Sequence, residues 1–487
     1  MSEPIPFQFC GPSFVSQSPN WARQEAMNCY CERAEVPDMK SQIAMFGTPG
    51  KKLYVGLQEA SVPNLFEVNG RTFAAGSNLW EVFANGTVIN RGSIGTPPFT
   101  PTQMTANQTQ LVILNNGNLY VFTLATNVLV AVNMAQFNGP ILQIGFIDGY
   151  ILAILQNSQT FQQSNIEDAT TWSGLNISTN TYFPDNFTSM ICDHREMWIW
   201  SGKKALVYYN VGAGFPVFIP IQGAFLEVGC GATFATVQAD NSIFWLSQDE
   251  RGSMIAYRAN GYTGERKSTH AQELKWQLYG VPSGADAVGY TYQEYGHTFW
   301  VIYFPSANQT WVYDIATGYW HQRGFWNQAT GTYQADRAMS HAYAFGMHLV
   351  GDPASGNIYQ MSSQFYTDFG NPIRGYRTAP TISAKNKYIY YDSFELDMDV
   401  GLGPIPPLLD GDGQPRPPQI MLDWSDDGGN TWSNVRYLSI GFAGEYKKRV
   451  RKTMLSRARK RVWRVTWSDP VPIRITAAYV EGQEADA

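Results

Sequence analysis

Hydrophobic and polar positions over the first three quarters of the chain fall into a repeat. An apolar strand, a turn built on Gly, Asn or Asp, and a second strand closing on a large aromatic recur seven times between about residues 65 and 375. The closing aromatics are Trp80, Tyr120, Phe161, Tyr208, Tyr257, Tyr313 and Tyr359, at successive separations of 40, 41, 47, 49, 56 and 46 residues. Four-stranded propeller blades need roughly 40–50 residues each, so the repeat predicts a ring of such blades. The runs Gln110 to Leu114, Tyr150 to Leu155, Met197 to Trp200, Ser242 to Leu246 and Phe299 to Phe304 are apolar at nearly every position, not at every second one. A strand covered on both faces reads this way, as stacked blades would require, whereas a two-sheet sandwich keeps a polar face. The pattern predicts an all-β fold with a β-propeller of six or seven blades over residues 51–375. The count stays open by one because ring closure can borrow a strand from a terminus.

The flanks read differently. Residues 1–50 show neither clean alternation nor a sustained helical period, apart from a short helix expected around Trp21 to Met27. They are expected to form an extended amino-terminal arm, ending in the turn sequence Phe46-Gly47-Thr48-Pro49-Gly50 and leading into a first strand at Leu53-Tyr54-Val55. From Phe394 the chain alternates strictly, with Phe394, Leu396 and Met398 on one face and Glu395, Asp397 and Asp399 on the other. A loop with six prolines, Gly401 to Pro418, excludes a central strand there. Strands are expected again at Gln419 to Trp424, near Val435 to Ile440, and from Arg461 to Tyr479. Residues 376–487 thus predict a separate β-sandwich-like domain carrying a Pro/Gly-rich loop and a basic hairpin.

Composition narrows the classes. A chain of 487 residues exceeds one ordinary core, and 14% aromatic with only 15% charged residues suits a β-rich protein. The same balance suits a surface buried against partners, although an aromatic-rich β fold explains it equally well. No apolar run reaches the roughly 18 residues that span a bilayer, and Met1-Ser2-Glu3-Pro4-Ile5-Pro6 lacks the parts of a signal peptide, so a soluble protein made in a cytoplasm is expected. Five cysteines point to reduced thiols, and Cys10 with Cys29 and Cys31 lacks a fourth ligand at zinc-like spacing. The six histidines form no metal-ligand pattern and are expected at strand ends or blade surfaces. Walker A, His-Glu-x-x-His, Gly-x-Ser-x-Gly and Gly-x-Gly-x-x-Gly sequences are all missing, so neither catalysis nor a cofactor is expected.

Two local motifs carry chemistry. Ser425-Asp426-Asp427-Gly428-Gly429-Asn430-Thr431-Trp432 fits the Asp-box pattern found in sialidases and other β proteins. Ser425, Asp427, Gly429, Thr431 and Trp432 are expected to build a hairpin turn, with Asp427 accepting backbone N–H groups, Gly429 at positive φ and Trp432 tucked beside the sheet. The second motif is a run of ten basic residues with no acidic one between Tyr446 and Trp467: Lys447, Lys448, Arg449, Arg451, Lys452, Arg457, Arg459, Lys460, Arg461 and Arg464. Like charges at that density are best tolerated opposite anions. Those anions could be DNA phosphates or acidic patches of a neighbouring subunit such as Asp397 and Asp399, and the plain alternative is a solvated hairpin.

The order of parts resembles a known family. The arm closing on Phe46-Gly47-Thr48-Pro49-Gly50, the aromatic β repeat, Val228-Gly229-Cys230-Gly231-Ala232 leading to Asn241-Ser242-Ile243-Phe244-Trp245-Leu246-Ser247, and the basic hairpin into Val462-Trp463-Arg464 resemble the packaged-DNA stabilisation proteins of short-tailed phages, also called tail hub or nozzle proteins. The resemblance implies a structural virion protein, assembled in the bacterial cytoplasm as a homo-hexameric ring below the head-to-tail adaptor. Such a ring extends the DNA channel, retains packaged double-stranded DNA and presents surfaces to tail spike, fibre or needle proteins. Six basic hairpins lining it would place about sixty positive charges around the duplex. A carbohydrate-binding or sialidase-like propeller is the alternative, motivated by the Asp box and the many Trp and Tyr. It requires a central cavity with convergent carboxylates or an Arg trio.

Overall fold

The computed structural model describes residues 3–485 apart from 6, 38, 63, 97–100, 213, 251, 280–284 and 386. Met1, Ser2 and Pro6, part of the stretch read for signal-peptide features, lie outside the described residues. The fold is a β-propeller joined to a β-sandwich. The first blade is built from Asn64–Val68, Arg71–Ala75, Asn78–Val82 and Val88–Ser93 in antiparallel order. Five more blades follow over 103–131, 141–179, 187–226, 237–266 and 288–327. The seventh takes three strands from 340–362 and its outer strand, Gly50–Gly56, from the other end of the ring. The blade count is therefore seven, and Leu53-Tyr54-Val55 closes the last blade instead of opening the first. Sharing one sheet between the two ends of the repeat ties the ring shut through backbone hydrogen bonds.

The periodic signal has a structural cause. All seven landmark aromatics lie in the third strands of their blades, from Trp80 in Asn78–Val82 to Tyr359 in Asn357–Ser362. The wholly apolar runs are second strands, buried at nearly every position because the neighbouring blades cover both faces. Between blades 3 and 4 the rings of Phe161 and Tyr208 lie 5.3 Å apart, and between blades 5 and 6 those of Phe244 and Trp300 lie 5.6 Å apart. Such edge-on and tilted aromatic pairs add roughly 0.5–1.5 kcal/mol each beyond area burial. Turns such as Asn69-Gly70 and Asn116-Gly117 hold both residues at positive φ, which matches the twist of a two-residue hairpin.

The sandwich recruits the amino-terminal segment. One sheet runs Cys29–Arg33, Ile43–Gly47, Arg474–Ala485, Tyr388–Met398 and Val450–Thr453, with Glu3–Ile5 on Arg474–Ala485 and Arg457–Ala458 on Tyr388–Met398. The other contains Arg23–Met27, Gly375–Thr378, Lys460–Trp467, Gln419–Ser425 and Arg436–Ser439. Phe9, Cys10, Cys29, Cys31 and Met45 share one core with Phe394, Leu396, Trp463 and Trp467. The amino-terminal segment is thus no free extended arm. It supplies five short strands, and at two to five residues each they are too short to set a period. The helix expected around Trp21 to Met27 is replaced by the strand Arg23–Met27, because pairing on both sides, to Tyr319–Asn327 of blade 6 and to Gly375–Thr378, overrides local propensity. That strand fuses blade 6 and one sandwich sheet into a single sheet of twelve strands. The Pro/Gly-rich loop carries only the two-residue strands Leu408–Leu409 and Pro415–Arg416, paired with each other.

Candidate interface of the basic segment

The basic segment is not a hairpin. Val450–Thr453 and Arg457–Ala458 both pair with Tyr388–Met398 of one sheet, whereas Lys460–Trp467 pairs with Gln419–Ser425 and Gly375–Thr378 of the other. It is a corner between sheets, kinked where Met454 and Ser456 take φ of 59° and 60°. Apolar residues on both sides of the corner, among them Val450, Leu455, Ala458, Trp463 and Val465, feed the core and force the crossing.

The ten cations divide into two groups. Four have carboxylate partners in the same chain: Arg449 donates to Glu395 at 2.8 Å, Arg451 to Glu481 at 2.7 Å, Arg464 to Asp423 at 3.0 Å and Arg461 to Asp426 at 2.6 and 2.8 Å. Arg449 holds the Glu395 carboxyl below its ordinary pKa by donating to it, against the opposing effect of burial. Arg461 is wholly buried, with its guanidinium 4.5 Å from the Tyr391 ring centre and 5.0 Å from that of Trp424, and it also donates to the Leu455 carbonyl. It faces neither DNA nor another subunit. Lys447, Lys448, Lys452, Arg457, Arg459 and Lys460 have no carboxylate partner among the described residues. Arg457 and Arg459 lie 4.8 and 4.7 Å from the ring centre of Tyr388, and Lys460 donates to Asn20 Oδ1 at 2.7 Å. Asp397 and Asp399, the acids expected to meet a neighbour's basic residues, are engaged within the chain by Lys40 and by Arg474 at 3.3 Å.

The Asp box forms the loop between Gln419–Ser425 and Arg436–Ser439. Asp427 accepts from the Ser425 hydroxyl at 2.6 Å and from the Asn430 and Thr431 backbone at 2.9 Å, bonds that hold its carboxyl well below the usual range, the Ser425 bond foremost. Gly429 has φ 94° and donates to Ser425 Oγ at 2.7 Å. Trp432 lies under the Arg464 guanidinium, 3.7 Å from ring centre to Cζ. Asp426 anchors Arg461, and Arg23 donates to the Gly429 carbonyl at 2.7 Å, so the loop also clamps the amino-terminal strand.

A cavity of about 240 Å³ on the propeller axis is lined by Asn64, Thr102, Gln103, Gln143, Thr236, Ser340, His341 and neighbouring apolar residues, with no Asp, Glu, Arg or Lys among them. Gln143 is engaged at both ends of its amide there, donating to Thr233 O at 2.8 Å and accepting from Met190 N at 2.6 Å. The histidines depart from expectation at His341, which lines this cavity, and at His321, which is buried inside Tyr319–Asn327, where burial foremost, with Arg323 beside it, pushes its pKa well down. Cys10, Cys29 and Cys31 each donate to a backbone carbonyl around the fully buried Arg377, which itself donates to Phe9 O, Pro12 O and Gln24 Oε1. Burial raises all three thiol pKa values. The sequence reading missed Arg377, the buried Lys51 between Asp336 and Asp368, and Asn28, whose amide clasps both backbone groups of Gly324. Asn28 between Met27 and Cys29 was a lone polar letter, but Lys51 beside Lys52 and Arg377 beside Thr378 carried no local signal.

Comparison with known proteins follows the same division of the chain. The family model described as bacteriophage P22 Gp10, beta-propeller, matches residues 41–366, and the one described as bacteriophage P22 Gp10, beta-sandwich, matches residues 376–483. No curated protein matches. Among solved structures, the extracellular domain of the one-component system BT4673 of B. thetaiotaomicron is 9% identical with a TM-score of 0.43, over 71% of this chain and 46% of that one. The mitotic checkpoint complex gives 11% identity and a TM-score of 0.40 over 68% of this chain and 95% of that one. PorZ of Porphyromonas gingivalis gives 10% and 0.40 over 72% and 44%. The chain spans less than half the length of the B. thetaiotaomicron and P. gingivalis structures.

Proposed function

Since this chain belongs to the bacteriophage P22 Gp10 family, a family of phage tail hub and DNA-stabilisation proteins, we propose that it builds a ring below the head-to-tail adaptor that extends the DNA channel and holds the packaged genome in the head. The observation that carries this reading is the match of both parts, propeller then sandwich, in the family's order over residues 41–366 and 376–483. The role is mechanical. Seven closed blades fused to a sandwich through one continuous sheet suit a rigid wall. The adaptor, the tail spike, fibre or needle proteins and DNA are its partners in the virion tail.

The unpaired cations support an anionic partner outside the chain. Four of the ten are neutralised internally, so a ring of six copies carries about 36 uncompensated charges in place of about sixty, and each phosphate neutralised contributes about −0.9 to the slope of log affinity against log salt. The carbohydrate alternative required convergent carboxylates or an Arg trio, and the lining of the axial cavity supplies neither. The direct test is a complementation. Heads packaged without this chain should release their DNA, measured as nuclease-sensitive genome, and purified chain should restore retention. Full retention without it overturns the proposal.

A further inference from the structure

One surface element is held by its own chain at the base alone. Between Gly401 and Pro418 the sandwich extends a small hairpin whose only ladder joins Leu408–Leu409 to Pro415–Arg416. Its base is fixed, with Arg416 held by both oxygens of Asp469 at 2.8 and 2.7 Å and the Gly401 N–H donating to Ile440 O at 3.0 Å. Beyond the base it stands in solvent, with Ile405 86% and Leu409 62% exposed beside the exposed Pro406 and Pro407. A lone two-stranded hairpin is marginal in water, and this one displays apolar side chains on a Pro-stiffened frame that loses little entropy on docking. Its tip is acidic: Asp410 caps the turn by accepting from Asp412 N at 3.0 Å and Gln414 N at 2.8 Å, and Asp412 is exposed with no ion-pair partner among the described residues.

The corner described above has the opposite character. Lys447, Lys448, Lys452, Arg457, Arg459 and Lys460 lack carboxylate partners, and exposed apolar and aromatic side chains lie among and beside them, with Met454 at 94%, Tyr446 at 69% and Tyr390 at 44%. We propose that the acidic hairpin of one copy docks on the cationic, aromatic corner of the next, its carboxylates meeting the free Lys and Arg and Ile405 and Leu409 covering Met454 and the tyrosines. The two surfaces differ, so the contact is head-to-tail, the kind that closes into a ring. The inference rests on the ring reading and names the contact that would build it.

The test uses assembled virions and zero-length carbodiimide coupling, which joins carboxylates to amines. The dimer band should yield peptides linking Asp410 or Asp412 to Lys447, Lys448, Lys452 or Lys460, and Asp410→Asn with Asp412→Asn should abolish them while keeping the turn's acceptor oxygen. Asp412→Lys, which touches no fold contact, should lower incorporation into virions at least tenfold, and Arg457→Asp with Arg459→Asp should restore it. Dimers linked only through other residues, or unchanged incorporation of Asp412→Lys, overturn the hairpin contact and leave the ring standing. Lysines that become acetylatable only after DNA ejection, with no adduct to either Asp, assign the corner to DNA and also overturn it. No oligomer band under carbodiimide or under a longer amine-reactive cross-linker removes ring and hairpin contact together.

Discussion

At the scale of single residues, neighbours in the sequence with the same charge do opposite work. Arg459 and Arg461 are two positions apart, yet one is exposed over Tyr388 and the other is sealed among Tyr391, Trp424 and Trp463. Alternation within one strand would put both on the same face; they part because Arg459 sits at the bend between Arg457–Ala458 of one sheet and Lys460–Trp467 of the other, so Arg461 belongs to a new strand with its own inward face. Truncating Arg461 takes one of two donors from the Leu455 carbonyl, leaves Asp426 without its cation and opens a hole between three rings. Arg461→Ala is therefore expected to cost about 3 kcal/mol in urea unfolding followed by tryptophan fluorescence, while Arg459→Ala changes stability by less than about 0.5 kcal/mol. Asn28 is the other exposed weakness of a single-letter reading. Its amide satisfies Gly324 N, Gly324 O and Arg374 O, each at 2.8 Å, at the join between propeller and sandwich. Asn28→Ala removes the side-chain partner of both Gly324 backbone groups, while Arg374 O keeps the Tyr333 hydroxyl, and should cost about 2–3 kcal/mol in the same assay.

At the scale of elements, the borrowed strand Gly50–Gly56 governs ring closure. A Cβ on Gly50 would lie 2.5 Å from the Phe365 carbonyl oxygen and 2.6 Å from that of Thr367, both backbone atoms that cannot step aside. Gly50→Ala should open blade 7, read as faster tryptic cleavage between residues 50 and 60 with the remaining blades protected. The next residue is the lock. Lys51 Nζ lies 2.5 Å from Asp336 and 3.4 Å from Asp368, so one cation serves two buried carboxylates. Burial foremost, with Asp336 adding repulsion against the pull of Lys51, raises the Asp368 pKa from 3.8 to about 6. A raised carboxyl pKa means that the folded state holds the proton more tightly than the unfolded chain. Its stabilising contribution is complete below about pH 4 and is lost as pH climbs through about 6. Asp368→Asn leaves Lys51 with one partner and needs no proton. It should melt above the parent protein at pH 8, by about 1–2 kcal/mol equivalent, with the difference vanishing near pH 4 in scanning calorimetry.

At the scale of the whole molecule, the propeller and the sandwich are not beads on a string. Arg23–Met27 pairs with blade 6 on one side and with Gly375–Thr378 on the other, and Tyr30 of the adjoining strand packs 5.3 Å from Phe299 and 5.2 Å from His297 of blade 6. Unfolding is expected to be a single cooperative transition for both parts, and removal of residues 1–33 should split it into two in calorimetry. One transition in the truncated chain would mean that the amino-terminal strands do not carry the coupling. A rigid junction also lets a ring transmit load between its wall and whatever the propellers hold.

The linear sequence by itself determined the repeat. Doubly covered strands must be apolar throughout, and each third strand must carry a large ring that meets the next blade, so the repeat and the alternation at Phe394, Leu396 and Met398 were legible from spacing, whereas the choice between six and seven blades waited on the strand Gly50–Gly56 that closes the ring. The Asp box was legible too, because its bonds run between residues at most four apart. Only the tertiary structure decided where long-range pairing goes. Three of the five amino-terminal strands take partners roughly 300 to 480 residues away, the basic run became a corner because its successive strands pair into two different sheets, and its charges were sorted by acids at Asp423, Asp426, Glu395 and Glu481 that no local window contains. Local pattern reports which face of a strand is covered, whereas the identity of the cover is a property of the folded chain.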